Sequence, residues 1–494
     1  MNFLLQHLTG MKNSAALVGG RTSHRSLPYR FGADQYDIVP AQTPPCTISL
    51  PFMTEPLPVF RRPPGPDEPV ALGADAETLR SLEELQRSYG NVVAVSTPNG
   101  RQALFLNDPE DIRSILVTNH SKYIKGPGFE RVKMLLGNGL IVSDGAAWRR
   151  SRTMVTPAFT RRNLHKLISL IVQCSERMSQ RWAKLAAAGE PVNITKEMTD
   201  YALEVILRAI FGPDFDSKVI ADGDNPFAFL SQDPSRDLKF VLRLRALREL
   251  VLSIIDERRQ SEPVEHYDFL SMYMSAEDKS GEKYSDDELL NEIMTLIIAG
   301  FETSSGVLNW AWYLIARHPN VDAKLFQEAR EQVPDADSVN SQSIAELKYF
   351  HQVLEETMRL YPPVWLFSRR AIKDDTLADY DIPAGTDIYF SPYILHHSAQ
   401  YWPDPEKFDP ERFATQETKE KKDRRQAPYT PFSLGPRRCI GEYLAIVEMK
   451  IHLGLLLQQF QMTTTTDVQP ELDLGVNLRA KEDIYLRPTL RTLN

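Results

Sequence analysis

The stretch from Ser285 to Pro319 constrains this chain more than any other. Ser285-Asp286-Asp287-Glu288 reads as a capping box, in which the serine hydroxyl accepts from the N3 amide while the glutamate reaches back. An apolar helical pattern then continues through LLNEIMTLIIAGFETSSGVLNWAWYLIARH and stops at Pro319. The pattern predicts a helix of roughly 33 residues, about 50 Å long at 1.5 Å per residue. A helix of that length crosses a whole domain, so the rest of the fold must be built around it. Its centre, Ala299-Gly300-Phe301-Glu302-Thr303-Ser304, is weak, because Gly, Thr and Ser all disfavour an interior α-turn. Strong ends and a weak middle predict a local distortion at a functional site.

Around this helix the text alternates little. AETLRSLEELQRSYG, from Ala76 to Gly90, has helical periodicity, and NVVAVS and QALFL flank Pro98-Asn99-Gly100 as a β-hairpin. From Asp108 to about residue 360 long amphipathic patterns dominate, and short β-like runs return late, as in TDIYFS and DIYLRPTL. No repeat or low-complexity linker divides the chain. The expected architecture is mainly α with a small β portion, one domain over residues 76–494. Ten prolines between Pro40 and Pro69 predict an extended segment before it, so residues 1–75 read as a flexible, basic and Pro-rich lead-in. The first 33 residues lack Asp and Glu and carry Lys12, Arg21, Arg25 and Arg30 among serines and threonines. That composition suits the basic tail of a soluble cytoplasmic protein or, alternatively, a mitochondrial transit peptide. No run approaches the roughly 20 apolar residues of a membrane span, so no transmembrane anchor is expected.

Composition narrows the chemistry. The 494 residues are 42% apolar and 25% charged, with a formal net charge of −9. An acidic balance argues against a nucleic-acid binder, whose footprint is basic. The three cysteines, Cys46, Cys174 and Cys439, are far apart and form no CxxC pair. A disulfide framework or cysteine-based zinc site is therefore not expected. Cys174, within LISLIVQCSERM, reads as a buried small hydrophobe.

Cys439 has a different setting, Phe432-Ser-Leu-Gly-Pro-Arg-Arg-Cys-Ile-Gly441. Gly435 and Gly441 would let backbone pass close to a bulky object. Arg437 and Arg438 would bring positive charge to the sulfur, and IGEYLAIVEMKIHLGLLLQQF predicts a helix starting just after it. Cations and a helix N-terminus both favour a thiolate. A lone thiolate on such a loop suits either a nucleophile or a soft metal ligand.

FSLGPRRCIG resembles the haem-binding loop of the cytochrome P450 (haem-thiolate monooxygenase) family, and Ala445 fits its continuation. Three further motifs appear in that family's order. Ala299-Gly-Phe-Glu-Thr303 resembles its oxygen-activating segment. Glu356-Thr-Met-Arg359, with Pro410-Glu-Arg-Phe413 downstream, resembles its ExxR network, and Trp148-Arg-Arg-Ser-Arg152 its WxxxR element. The resemblance spans roughly residues 76 to 490. It implies the cytochrome P450 fold, with the long central helix over haem b (iron protoporphyrin IX) and Cys439 as axial thiolate ligand. Phe432, Gly435, Arg437 and Gly441 would form the cofactor loop. Trp148, Arg152 and Arg437 would hold propionates, with Arg369 or its neighbour Arg370 as a further candidate. Ala299 and Gly300 would let the central helix approach the haem, Thr303 would support dioxygen, and Glu302 would relay protons. Glu356 and Arg359, three apart, would be a weak surface pair on spacing alone; the resemblance implies instead a buried structural network with Arg412.

The implied reaction inserts one oxygen atom from dioxygen into an organic substrate. No nicotinamide or flavin motif is visible, and Cys439 lies 55 residues from the last residue. Electrons are therefore expected from a separate ferredoxin and reductase or a flavoprotein reductase, with KEKKDRR (residues 419–425) as a docking candidate. By resemblance, Phe301, Val364, Leu366 and Phe367, with the segment 133–136, would line a pocket for a hydrophobic small molecule such as a fatty acid or terpenoid. Trp365 replaces a proline common at that place in the family. Two rivals are a haem-thiolate isomerase or dehydratase acting on peroxides and a non-catalytic haem sensor. Retention of Glu302 and Thr303 counts against both.

Overall fold

The computed structural model describes residues 61–220, 223, 225–232, 238–261, 267–377, 379–414 and 428–491. The transit-peptide candidate, Cys46, most of the proline-rich run and the basic segment 419–425 lie outside the described residues.

The elements that position the site are helices α1 (Ala76–Tyr89), α2 (Gly145–Val155), α3 (Ile168–Ala188), α4 (Ile194–Phe211), α5 (Asp286–Arg317), α6 (Lys348–Leu360) and α7 (Glu442–Gln459). The central helix α5 has 32 residues and the expected capping box on Ser285 and Glu288. Most of its length is buried, so it must be surrounded on nearly every side. α4 packs along it, and α3, α6 and α7 close the bundle. Trp312 of α5 donates from its indole to His452 Nε2 of α7 at 3.0 Å, and its ring meets Trp182 of α3 edge-on at 5.3 Å. These large rings belong to one apolar core running through the helical body.

The expected distortion within α5 is absent: the helix runs unbroken. Thr303 Oγ1 donates to the Ala299 carbonyl at 2.9 Å and Ser305 Oγ to the Glu302 carbonyl at 3.2 Å. The hydroxyls bond back to carbonyls of their own helix, so they add bonds to its ladder without interrupting it.

The β portion is mainly a five-stranded sheet with its own core. β1 (Val92–Ser96) and β2 (Gln102–Leu106) form the expected hairpin. β3 (Tyr123–Lys125), β4 (Phe367–Ala371) and β5 (Asp387–Phe390) complete the order β1-β2-β5-β4-β3. β2 and β5 are parallel, and the other pairings are antiparallel. Near the chain's end, β6 (Leu472–Leu474) and β7 (Leu478–Ala480) form a separate hairpin.

Part of the stretch expected as lead-in is packed against this sheet. Ala94 N donates to Pro64 O at 2.9 Å and Val70 N to Ser96 O at 2.8 Å. Proline's missing amide does not matter here, since Pro64 contributes its carbonyl to the β1 edge. Among the described residues no helix is long and apolar enough to cross a membrane.

Candidate functional site

The loop before α7 is held in one shape by its backbone. Cys439 N donates to Phe432 O at 2.9 Å and Ser433 N to Thr430 O at 3.0 Å. Between them Ser433 (φ +59°) and Gly435 (φ +69°) adopt left-handed conformations, rare for a serine. A Cβ on Gly435 would lie 2.1 Å from the Leu116 carbonyl oxygen, so this glycine is required by a passing backbone segment. Gly441 caps α7 at φ −84°, and a Cβ there would meet Cys439 Sγ at 3.9 Å, an ordinary contact. Gly435 thus admits the Leu116 backbone, while protein does not crowd Gly441.

Cys439 remains accessible. The amides of Gly441 and Glu442 and the charge of Arg152 favour its thiolate, but burial is the larger effect and pushes the thiol above its ordinary value. Accessibility and burial coexist because an atom can face an internal space while protein surrounds it on the other sides. Arg437 and Arg438, expected to charge the sulfur, each have a carboxylate partner, and Arg438 also interacts electrostatically with Cys439. Arg437 binds Asp144 and donates to the Ser143 carbonyl at 3.0 Å. Arg438 forms a two-pronged pair with Glu442, at 2.5 and 2.6 Å. Arg152 shares that role: it is half-buried, and the Cys439 sulfur is the opposing charge that acts on it.

Beside the loop lies a concentration of buried positive charge. The register of β3 on β4 sets Lys125 opposite Arg369. Burial, together with Arg369 and Arg437, pushes the Lys125 amine well below its ordinary value. Burial and Arg437 depress Arg369 to about 10. One carboxylate, Asp144, faces all three, accepting from Arg437 and from the Lys125 amide at 3.2 Å. Arg437 also sits 4.4 Å over the Trp148 ring, which brings the WxxxR element to the loop. Arg370 is bound by Asp387 at 2.6 and 3.1 Å, so of the two adjacent arginines Arg369 is the one turned to this cluster. Lys125 and Asp144 carry no motif in the sequence and come into view only with the fold.

On α5, Leu296, Ala299, Gly300 and Thr303 stay partly accessible at helical spacing, within a helix that is otherwise mostly buried. This is one open face. Gly300 has a further reason to be small, because a Cβ would approach Ile206 Cγ1 of α4 to 2.7 Å. Its expected role in approaching the cofactor is thus at least shared with packing against α4. Glu302, buried next to Thr303, accepts from Asn477 Nδ2 at 2.7 Å and pairs with Arg479.

Glu356 and Arg359 are wholly buried and joined by two hydrogen bonds of 2.7 and 2.9 Å. Arg412 Nε lies 3.3 Å from Glu356 Oε1, and Asp409 N donates to the same oxygen at 2.9 Å. The network reaches the thiol loop: Arg359 donates to His396 O at 2.9 Å, and Thr430 N donates to His396 Nε2 at 2.9 Å.

The expected pocket residues do not form one group. Phe301 and Leu366 pack with the helical core, while Phe367 stacks on Phe390 in the sheet core at 5.1 Å. Val364 is 37% exposed, and Met134 of the segment 133–136 is 70% exposed. Trp365 is fully buried and donates to Gly475 O at 2.6 Å. Cys174 is buried, with its thiol pushed up to about 12, as suits a packing residue.

Taken together, an accessible thiol facing amides and Arg152, an excess of buried cations and an open helix face fit a flat, dianionic group with a soft metal. The comparisons agree. A family model described as cytochrome P450 matches residues 70–486. The chain is 30% identical over 441 residues to Protein LUTEIN DEFICIENT 5, chloroplastic, of Arabidopsis thaliana, covering 83% of this chain and 74% of that one. It is 30% identical over 371 residues to cyclooctatin synthase of Streptomyces melanosporofaciens, covering 72% and 79%. A solved structure of a cytochrome P450 (CYP102L1) superposes with a TM-score of 0.76 at 25% identity, covering 88% of this chain and all of that one.

Proposed function

Because the chain belongs to the cytochrome P450 family, whose members are haem-thiolate monooxygenases, we propose that it hydroxylates or epoxidises a hydrophobic small molecule with dioxygen and electrons from a separate redox partner. The observation that carries this reading is that Arg437, from the loop bearing Cys439, joins Lys125 and Arg369 in one cluster of positive charge. Haem b, when bound, would supply activation of dioxygen, and the Cys439 thiolate would hold its iron.

The chain's own residues do the rest. Lys125, Arg369 and Arg437 give two carboxylates the partners that Asp144 alone cannot give the cations. Bringing in anions relieves the mutual repulsion of the cations, so cofactor binding and site stability rise together. Arg152 and the amides of Gly441 and Glu442 favour the thiolate against the burial that raises the thiol. The Glu356–Arg359–Arg412 network fixes the loop through His396 and Thr430. Thr303 Oγ1 carries a proton that its bond to Ala299 O keeps in place on the open face. Glu302, the adjacent residue, would renew it after taking up a proton itself.

An apolar substrate is supported by Phe301 and Leu366 and by the small residues on the open face of α5. A fatty acid or a terpenoid meets that chemistry, and one relative is named for its synthesis of cyclooctatin. Retention of Glu302 beside Thr303 favours this reading over a peroxide isomerase, which needs no proton delivery. Thr303→Ala tests it. Electron consumption should persist while product per electron pair falls and hydrogen peroxide rises; unchanged coupling would remove Thr303 from the mechanism.

A further inference from the structure

The hairpin of β6 and β7 is fastened to two segments far away in sequence. At its tip, Gly475 O accepts from the Trp365 indole at 2.6 Å, and Leu478 N donates to Pro363 O at 2.8 Å. Both anchors belong to the segment after α6, and Trp365 is itself fixed by Ser391 Oγ, which donates to its carbonyl at 2.9 Å. On its other side, the same tip presents Asn477 and Arg479 to Glu302 of α5. The Glu302 side chain is 7% exposed and that of Arg479 43%, so the pair leads from a buried carboxylate to the surface.

A buried carboxylate needs its hydrogen bonds supplied in a fixed geometry. Here the donors lie on a short, two-stranded hairpin, an element of little independent stability. What makes it rigid is its docking, and one fastening of the tip is an indole donor in a fully buried ring. We propose that Trp365 is a positioning residue for the Glu302 carboxylate, acting through the Gly475–Arg479 tip of the hairpin. Trp365 lies between Val364 and Leu366, so the segment expected to meet substrate is mechanically joined to the proton-handling acid. The inference rests on the reading of Glu302 given above and adds the residues that aim it.

The test uses the holoenzyme and Trp365→Phe, which keeps a large ring and deletes the donor. Hydrogen exchange, measured without turnover, should accelerate at the Leu478 amide while the haem spectrum stays as in wild type. With a ferredoxin and its reductase as electron donors and dodecanoic acid as probe, product per electron pair should fall on the order of tenfold, as for a misplaced reacting group. In a Glu302→Gln background the same change should lower coupling no further, because both act through one carboxylate. Arg479→Gln, on a half-exposed side chain, should give the same non-additive loss and serves if Trp365→Phe does not fold; Arg479→Lys should restore part of it. Additive losses, or full coupling despite a loosened hairpin, would overturn the inference. If Glu302→Gln alone leaves coupling intact, the assignment of Glu302 fails and the inference falls with it. If Glu302→Gln lowers coupling and neither Trp365→Phe nor Arg479→Gln does, only the inference fails.

Discussion

Lys125 and Arg369 stand directly opposite each other across the β3–β4 pairing, two basic side chains of which Arg369 is buried and Lys125 half-buried. Such pairs destabilise a sheet, and Arg437 adds a third charge to the pair, with Asp144 in opposition. An arrangement this costly in the protein alone makes sense at a site that receives anions.

Removing a charge from the cluster should therefore divide stability from binding. Lys125→Met is expected to stabilise the haem-free protein by about 0.5–1 kcal/mol while weakening haem retention. Asp144→Ala should do the reverse to the haem-free protein, costing about 2 kcal/mol as Arg437 loses its partner. Urea unfolding without haem, with haem titration alongside, reads both; a Lys125→Met variant that binds haem as well as wild type would contradict the assignment.

The network under the loop should tolerate no truncation. Glu356→Ala leaves the wholly buried Arg359 charge without its partner, a change that costs about 3–5 kcal/mol. Arg359→Lys should also fail, because an ammonium cannot make the two parallel bonds to Glu356. The expected outcome for both is loss of haem-loaded protein on purification.

The two loop glycines should behave differently. Gly435→Ala forces a Cβ against the Leu116 carbonyl at a left-handed φ and should abolish ordered loop structure. Gly441→Ala, whose Cβ would meet Sγ at 3.9 Å, should leave the fold of the haem-free protein intact. Thermal unfolding of the two variants separates the cases.

Glu448 of α7 gives a pH signature. Burial raises its carboxyl from 4.5 to about 8, with Ser304 opposing the shift. The folded state thus holds a proton that the unfolded state releases, so stability from this group declines as pH rises from about 4.5 to about 8. Glu448→Gln cannot ionise. Relative to wild type it should gain stability at pH 8 compared with pH 5, by a few kcal/mol. An equal difference at both pH values would show that Glu448 is ionised in the fold.

Much of this was legible where the signal is local. The capping box of Ser285 and Glu288 marks α5, Pro98-Asn99-Gly100 marks the β1–β2 turn, and Glu356 finds Arg359 within one helical turn. Charge adjacency told only part, because neighbours in sequence say nothing of direction: Arg437 turns to Asp144, Arg438 is shared between Glu442 and the sulfur, and Arg152 of α2 adds its charge to the sulfur. Glycine misled in the same way, since a missing Cβ does not reveal whether Ile206, Leu116 or a cofactor occupies the space. Lys125 and Asp144, and the hold of Arg479 on Glu302, depend on strand register and loop closure across long stretches of chain.

The central claim is that the Cys439 thiolate would hold the iron of a bound haem. The absorption spectrum of the reduced, carbon monoxide-bound protein tests it most directly. The account predicts a Soret band at the position diagnostic of thiolate ligation, lost in Cys439→Ser. A spectrum of the histidine-ligated kind, or one unchanged by Cys439→Ser, would contradict it.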